Sequence, residues 1–244
     1  MTNLNVQTFN LARPEIPGAL PDFPGSQQNL LPLRSLGDPL DIAIPEWPDL
    51  NVNASLRIML SLNGQAPIQV AYYQFGAPID PALFPFVAQI TPNLFMQEGV
   101  YKVFYLLEQH GNATPSLDNY FTVDTTAPNY GNPGQRAAFP PDVVQNGITS
   151  AYLASHGDKV DITIPRYLDQ RAGDIIEFYF SDLVTDGPVL NKTVHDSNSD
   201  TLIELSGAII RAKGDGQKLA FYTPQDRADN QGPHSYYQHI NVQL

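Results

Sequence analysis

The chain has 244 residues, of which 22 are proline, 17 are glycine and none is cysteine. There are 13 basic and 25 acidic residues, which gives a formal net charge of −12. The lack of cysteine excludes disulfides, thiolate metal sites and cysteine nucleophiles. The acidic balance argues against nucleic acid or an anionic membrane as a partner, because both require a basic surface.

The first 32 residues form a proline-rich N-terminal arm. Prolines at positions 14, 17, 21, 24 and 32 leave it without helix or central-strand potential. We expect the arm either to extend along the domain that follows or to be disordered, with its later part supplying a first strand. The N-terminus lacks the basic and apolar regions of a signal peptide. No apolar run approaches the ~20 residues of a membrane span, so the chain is not expected to span one.

A repeat of about 120 residues organises the rest of the chain. GDPLDIAIPEW starts at Gly37 and GDKVDITIPRY starts at Gly157, and six of the eleven positions are identical. The similarity continues, with small changes of offset, to the last strand of each copy. We therefore predict two tandem domains of one fold, at 33–126 and 127–244. A duplicated half-barrel that forms a single domain is the alternative.

Runs with alternating or dense apolar residues predict strands almost throughout. Pro45 and Pro165 follow the repeated motif, and each is predicted to end its strand or to mark an edge or a bulge. Helix is expected for at most a turn or two, for instance near Pro81–Phe86. About seven strands in each copy are typical of an antiparallel β-sandwich. The predicted strands include 41–44, 56–62, 100–107, 120–123, 161–164, 175–180, 202–210 (with a possible break at Gly207) and 239–242.

Two motifs resemble those of the bacterial immunoglobulin-like repeat domains found in surface and adhesin-type proteins. Val123–Pro128, VDTTAP, is similar to the V-D-T-x-A-P junction of that family. Phe221-Tyr222 followed by Asp226–Asn230 is similar to its aromatic strand and D-x-A-G-N motif, although Asp229 replaces the glycine. The resemblance implies an all-β chain of two tandem immunoglobulin-like antiparallel β-sandwich domains.

The same resemblance implies a non-catalytic binding, adhesion or spacer module of a bacterial surface or secreted protein. The expected partner is a protein or a cell-surface glycan, and the expected location is extracellular or at the cell surface. A cytoplasmic location stays open because no signal peptide is recognisable. A carbohydrate-binding module and the targeting component of a toxin or defence system are the alternatives. No G-x-S-x-G, HExxH or phosphate-loop motif indicates an enzyme.

Repeated aspartates provide the candidate metal site. Asp38 and Asp41 in the first copy correspond to Asp158 and Asp161 in the second, and Asp124 lies at the predicted domain joint. Calcium prefers several oxygen ligands, so these carboxylates are candidates for binding it. The other interpretation is that they cap the turn at the preceding glycine by hydrogen bonds. No other cofactor is predicted.

Clustered aromatic residues provide the candidate ligand-binding site. Tyr72, Tyr73 and Phe75 are close in one segment, and Tyr236 and Tyr237 are adjacent in another. Exposed rings of this kind can stack on sugars or anchor a protein partner. The competing interpretation is that alternate members of each cluster fill the core, because strand side chains alternate between two faces.

Overall fold

The computed structural model describes residues 11–244, so part of the predicted arm, residues 1–10, lies outside the described residues. The described chain consists mostly of antiparallel β-sheets in a sandwich-like arrangement, which confirms the all-β prediction. It divides into two compact units. The first unit contains residues 11–22 and Gln27–Thr125, and the second contains Phe23–Ser26 and Thr126–Leu244.

The first unit has a small sheet and a large one. Its strands are β1 (Leu40–Ile44), β2 (Ala54–Leu62), β3 (Ile68–Phe75), β4 (Phe86–Ile90), β5 (Gly99–Gln109), β6 (Asn112–Pro115) and β7 (Asn119–Val123). β1 pairs with β4, while the large sheet has the order β3-β2-β5-β6 and β7 also pairs with β5. Alternate residues of β2, such as Leu56 and Ile58, are fully buried, so this strand turns one face to the core.

The second unit follows the same plan. Its elements are α1 (Pro141–Asn146), β8 (Ile148–Thr149), α2 (Ser150–Ser155), β9 (Lys159–Ile164), β10 (Ile175–Ser181), β11 (Leu190–Thr193), β12 (Thr201–Ser206), α3 (Gly207–Lys213), β13 (Gly216–Gln225) and β14 (Gln238–Gln243). β9 pairs with β12, and the large sheet has the order β11-β10-β13-β14-β8. The antiparallel β3-β2-β5 arrangement thus recurs as β11-β10-β13.

The repeated motif forms corresponding strands, β1 and β9. β1 ends at Ile44 and β9 at Ile164, directly before Pro45 and Pro165 as predicted. A proline lacks the N–H that the next ladder bond requires.

An upstream residue covers the outer edge of each of these strands through a reciprocal pair of backbone hydrogen bonds. Glu15 pairs with Ala43 at 2.8 and 2.9 Å, and Ala138 pairs with Thr163 at the same two distances.

Residues 11–22 and 27–32 of the arm belong to the first unit, whereas Phe23–Ser26 belongs to the second. Leu11 and Leu30 form isolated parallel bridges with Ser116 and Thr122. Leu30 and Leu31 are each 1% exposed, which places them in the core. The expected first strand is reduced here to the bridge at Leu30. Its counterpart in the second unit is the two-residue strand β8, which pairs in parallel with β14.

The helix content exceeds the expectation of a turn or two. The turn near Pro81–Phe86 is present as a 3-10 turn at Pro81–Leu83, but α1, α2 and α3 were not predicted. The predicted strand 202–210 is wrong beyond Ser206, where α3 begins. The Ser206 hydroxyl accepts a hydrogen bond from the Ile209 N–H at 3.3 Å, which is the N-cap contact that starts a helix.

Candidate binding site

The aromatic segment on β3 is divided between the two faces of the sheet. Tyr72 is 47% exposed on the outer face. Tyr73 and Phe75 point the other way and pack against the core of the first unit. Both rings make edge contacts with Phe86, at 4.9 and 5.1 Å between centroids, and Phe75 also contacts Trp47 at 5.2 Å. Of these three candidates, only Tyr72 offers a largely exposed ring.

An open groove of about 680 Å³ surrounds Tyr72 on the outer face. β2, β3 and β5 supply its floor, because their outward side chains are aligned by the register that pairs Arg57 with Tyr72 and Ser55 with Glu108. Phe75 is also one of the lining residues, although its ring packs inward against the core. The main lining side chains are those of Asn53, Ser55, Arg57, Tyr72, Gln74 and Glu108.

Hydrogen bonds hold the polar groups of this groove in place. The Arg57 guanidinium donates from Nη2 to Glu108 Oε2 at 2.7 Å, and both side chains are more than one third exposed. Gln74 Nε2 donates to the Tyr72 hydroxyl at 2.9 Å. The Tyr72 ring therefore lies beside a fixed cation, carboxylate and amide. This combination can stack on an apolar ring face and exchange hydrogen bonds with hydroxyl groups.

Arg57 and Glu108 were not among the predicted site residues. The alternation of the strand does indicate that Arg57 points outward, since Leu56 and Ile58 flank it and are both fully buried. Which of the outward residues would become neighbours depends on strand order. That order is set by contacts far apart in sequence and was not available from the local pattern.

The second candidate pair, Tyr236 and Tyr237, lies in the connection between β13 and β14. Tyr236 is 60% exposed and Tyr237 is 38% exposed. The Tyr237 ring covers Phe221 edge-on at 5.1 Å, and Phe221 stacks on Tyr179 at 4.5 Å. His234 contacts both of these rings edge-on. Tyr237 therefore closes an aromatic cluster on the outer face of this sheet, while the ring of Tyr236 is left to solvent.

The predicted calcium ligands of the first unit lie in different environments. Asp38 is exposed at a turn, where its N–H donates to the Ser35 carbonyl at 3.2 Å. Asp41 is exposed on β1 and accepts a hydrogen bond from Gln89 Nε2 at 3.0 Å. Asp124 is 4% exposed and accepts one from Gln27 Nε2 at 2.5 Å.

The corresponding aspartates of the second unit are paired with cations. The Arg211 guanidinium donates two hydrogen bonds to the Asp158 carboxylate, at 2.8 and 2.6 Å. This interaction lowers the pKa of the Asp158 carboxyl. Asp161 lies 3.1 Å from Lys159 Nζ. Within residues 11–244, no three carboxylate or imidazole side chains converge as a metal site would require, so calcium binding stays a prediction.

A buried carboxyl, Asp174, lies directly before β10. It is 1% exposed, and its Oδ2 accepts hydrogen bonds from the Tyr167 hydroxyl at 2.8 Å and the Arg171 N–H at 2.9 Å. Its Oδ1 has no partner among the described residues. Burial, aided by the nearby Asp226 carboxylate, raises the pKa of Asp174 to about 7. The same burial raises the pKa of Tyr167 strongly.

Comparisons with known proteins add little to this geometry. No protein-family model matches the chain, and no curated protein matches it. One solved structure, from work on host cell surface retention of a 1.5-MDa bacterial ice-binding adhesin, aligns with a TM-score of 0.35 and 14% identity. The alignment covers 88% of this chain and 61% of that one.

None of the helices within residues 11–244 is long and apolar enough to cross a membrane.

Proposed function

We propose that this chain is a non-catalytic binding module of a bacterial surface or secreted protein, built from two immunoglobulin-like β-sandwich domains. Two observations support the architecture: the strand order that recurs in the two units and the VDTTAP segment at their junction. The open groove around Tyr72 carries the proposal of binding, because it places an exposed ring beside fixed polar groups on a rigid sheet.

The ligand that fits this groove best is a neutral glycan. A sugar ring has an apolar C–H face that can pack on Tyr72. Its hydroxyl groups can accept hydrogen bonds from Arg57 and Gln74 and donate to Glu108. The net charge of −12 disfavours strongly anionic glycans, because they would be repelled over several ångströms.

A glycan array with the full chain tests the proposal, using Tyr72→Ala as the variant. Loss of the ring should weaken binding roughly tenfold to thirtyfold, as expected for a central aromatic contact. Tyr120→Ala is the matched control, because Tyr120 is a similarly exposed tyrosine, at 40%, on β7 of the same unit. The proposal is rejected if the array retains no glycan, or if both variants bind like the parent chain.

A protein partner is the second candidate, and the exposure of Tyr236 favours it. An exposed tyrosine on a loop is a common anchor at protein interfaces. Tyr236→Ala should then abolish retention of the chain on a partner cell surface while glycan binding stays unchanged. Retention that depends on Tyr72 and not on Tyr236 would contradict this second candidate.

A further inference from the structure

β3 is an edge strand without the usual protection against pairing. It is eight residues long, and within the described chain β2 is the only strand that pairs with it. Its sequence, IQVAYYQF, contains neither a charged residue nor a proline. Native edge strands normally carry such residues, are very short or are covered, because free backbone N–H and C=O groups recruit other strands.

Other edges described in the structure show these protections. β6 has four residues and ends in Pro115, and β11 has four residues and contains Lys192. The outer edges of β1 and β9 are covered by the bridges to Glu15 and Ala138. β4 receives a side-chain contact instead, since the Gln89 N–H donates to the Tyr73 hydroxyl at 3.2 Å. The open edge of β3 is therefore a local exception.

We propose that β3 pairs antiparallel with β3 of a second copy of this chain, which joins two large sheets into one. The lack of charge favours a second copy as the occupant. Two molecules that each carry −12 repel one another. An uncharged edge lets them approach without placing like charges opposite each other.

The faces of β3 select one register for this pairing. Opposed residues in an antiparallel pair point to the same face, so outward Tyr72 must oppose an outward residue. A bulge interrupts the register with β2 at Val70, which leaves 71–75 as the regular part of the strand. Two identical strands that pair antiparallel are related by a two-fold axis. Only the register that places Tyr73 on this axis pairs all five residues, 71–75, with residues of the second copy. It places Tyr72 opposite Gln74 of the partner, and Ala71 opposite Phe75 of the partner.

This register has a consequence for the groove. Each Tyr72 ring would be flanked by Gln74 of the second copy, and the two grooves would lie side by side on one continuous sheet face. The pairing itself does not depend on a ligand, so it can be tested in the absence of any glycan. Its failure would leave the proposed glycan binding untouched.

Sedimentation velocity over a range of concentrations tests the association, with Gln74→Glu as the variant. The new carboxylate would face the partner's Tyr72 ring, whose face is electronegative, within an already acidic pair of molecules. We expect a monomer–dimer equilibrium for the parent chain and a dissociation constant at least tenfold higher for Gln74→Glu. Gln243→Glu is the control, because it makes the same change at an exposed position of β14. A monomeric parent chain at all concentrations, or equal dissociation constants for the three proteins, overturns the proposal.

Disulfide trapping tests the register, because the natural chain contains no cysteine. Opposed residues of a β-ladder lie within the distance that a disulfide spans. A mixture of Tyr72→Cys and Gln74→Cys chains should therefore form a linked heterodimer under mild oxidation, and each variant alone should link much less. Equal linking in the mixture and in the separate variants contradicts the register with Tyr73 on the axis.

Discussion

The glycines of the repeated motif show how two identical residues can have different roles. Gly157 has φ +66 and follows the C-terminus of α2, where the N–H of Asp158 donates to the Leu153 carbonyl at 2.9 Å. Gly37 has open space around it and does not adopt the left-handed backbone. The two positions are alike in sequence, but Gly37 follows a 3-10 turn at Leu33–Ser35 whereas Gly157 follows the α-helix α2.

Substitution of each glycine by alanine measures this difference. Gly157→Ala should lower the free energy of unfolding by about 1 kcal/mol, because a Cβ is disfavoured at positive φ. Gly37→Ala should change it by less than about 0.5 kcal/mol. Chemical denaturation of the two variants provides the comparison, and equal losses would contradict the prediction.

Asp174 predicts a pH dependence of stability. Its pKa is raised from 3.8 to about 7 in the folded state, so the folded chain binds this proton more tightly than the unfolded chain. The contribution to the free energy of unfolding is fully present below pH 3.8 and is lost as the pH rises through about 7. Each tenfold change in proton affinity is worth about 1.4 kcal/mol, so the effect amounts to a few kcal/mol.

The variant Asp174→Asn isolates this contribution. It keeps the shape of the side chain and removes the titration, while Tyr167, Arg171 and Asp226 still surround the site. As the pH rises from 4 to 7, the free energy of unfolding of the parent should fall relative to that of the variant, because only the parent loses the contribution of the bound proton. A pH-independent difference over this range would show that Asp174 does not titrate there.

The elements were predictable from the sequence where a single period governs a segment. β2 and β14 contain the runs predicted from alternation, which follows directly from one buried and one wet face. β5 and β10 contain the dense apolar runs that were predicted to form central strands. α3 was missed because Leu202–Ile210 is rich in apolar residues on both sides of Gly207 and was interpreted as one strand. Its local signals were nevertheless present: a serine at the N-cap, basic residues Arg211 and Lys213 in the last turn, and Gly214 after it.

The start of α3 can be tested at its cap. Ser206→Ala removes the acceptor for the Ile209 N–H and should lower the free energy of unfolding by about 1 kcal/mol. Ser155→Ala is the control, because Ser155 lies at the end of α2 and its hydroxyl donates back to the Ala151 carbonyl at 3.0 Å. Urea denaturation should show a clearly smaller loss for Ser155→Ala, and a loss as large as that of Ser206→Ala would argue against the cap.

The candidate site was predictable only in part. Alternation could assign Tyr72 and Tyr73 to opposite faces, but not decide which face is the core. That choice depends on the sheet across the sandwich, where Phe86 of β4 receives the Tyr73 ring. Likewise, Arg57 and Glu108 are 51 residues apart and meet only through the pairing of β2 with β5.

At the scale of the whole molecule, the two units have separate cores. The buried cluster of the first contains Ile42 and that of the second contains Ile162, which occupy the same place in the repeated motif and are both fully buried. Ile42→Ala and Ile162→Ala should each lower stability by about 2–5 kcal/mol. Hydrogen exchange should then lose protection mainly in the unit that carries the change, and equal loss in both units would contradict independent cores.

The parallel contacts near the limits of each unit have a mechanical consequence. β8 runs parallel to β14, and Leu30 bridges in parallel to Thr122. Tension applied at Thr126 and Leu244 would pull the paired segments of the second unit in opposite directions along their own length. The force would then act in shear on all the hydrogen bonds between these segments at once, so that they would have to break together and not one after another. Single-molecule pulling should show a larger rupture force for this geometry than for pulling across the β13–β14 antiparallel pair.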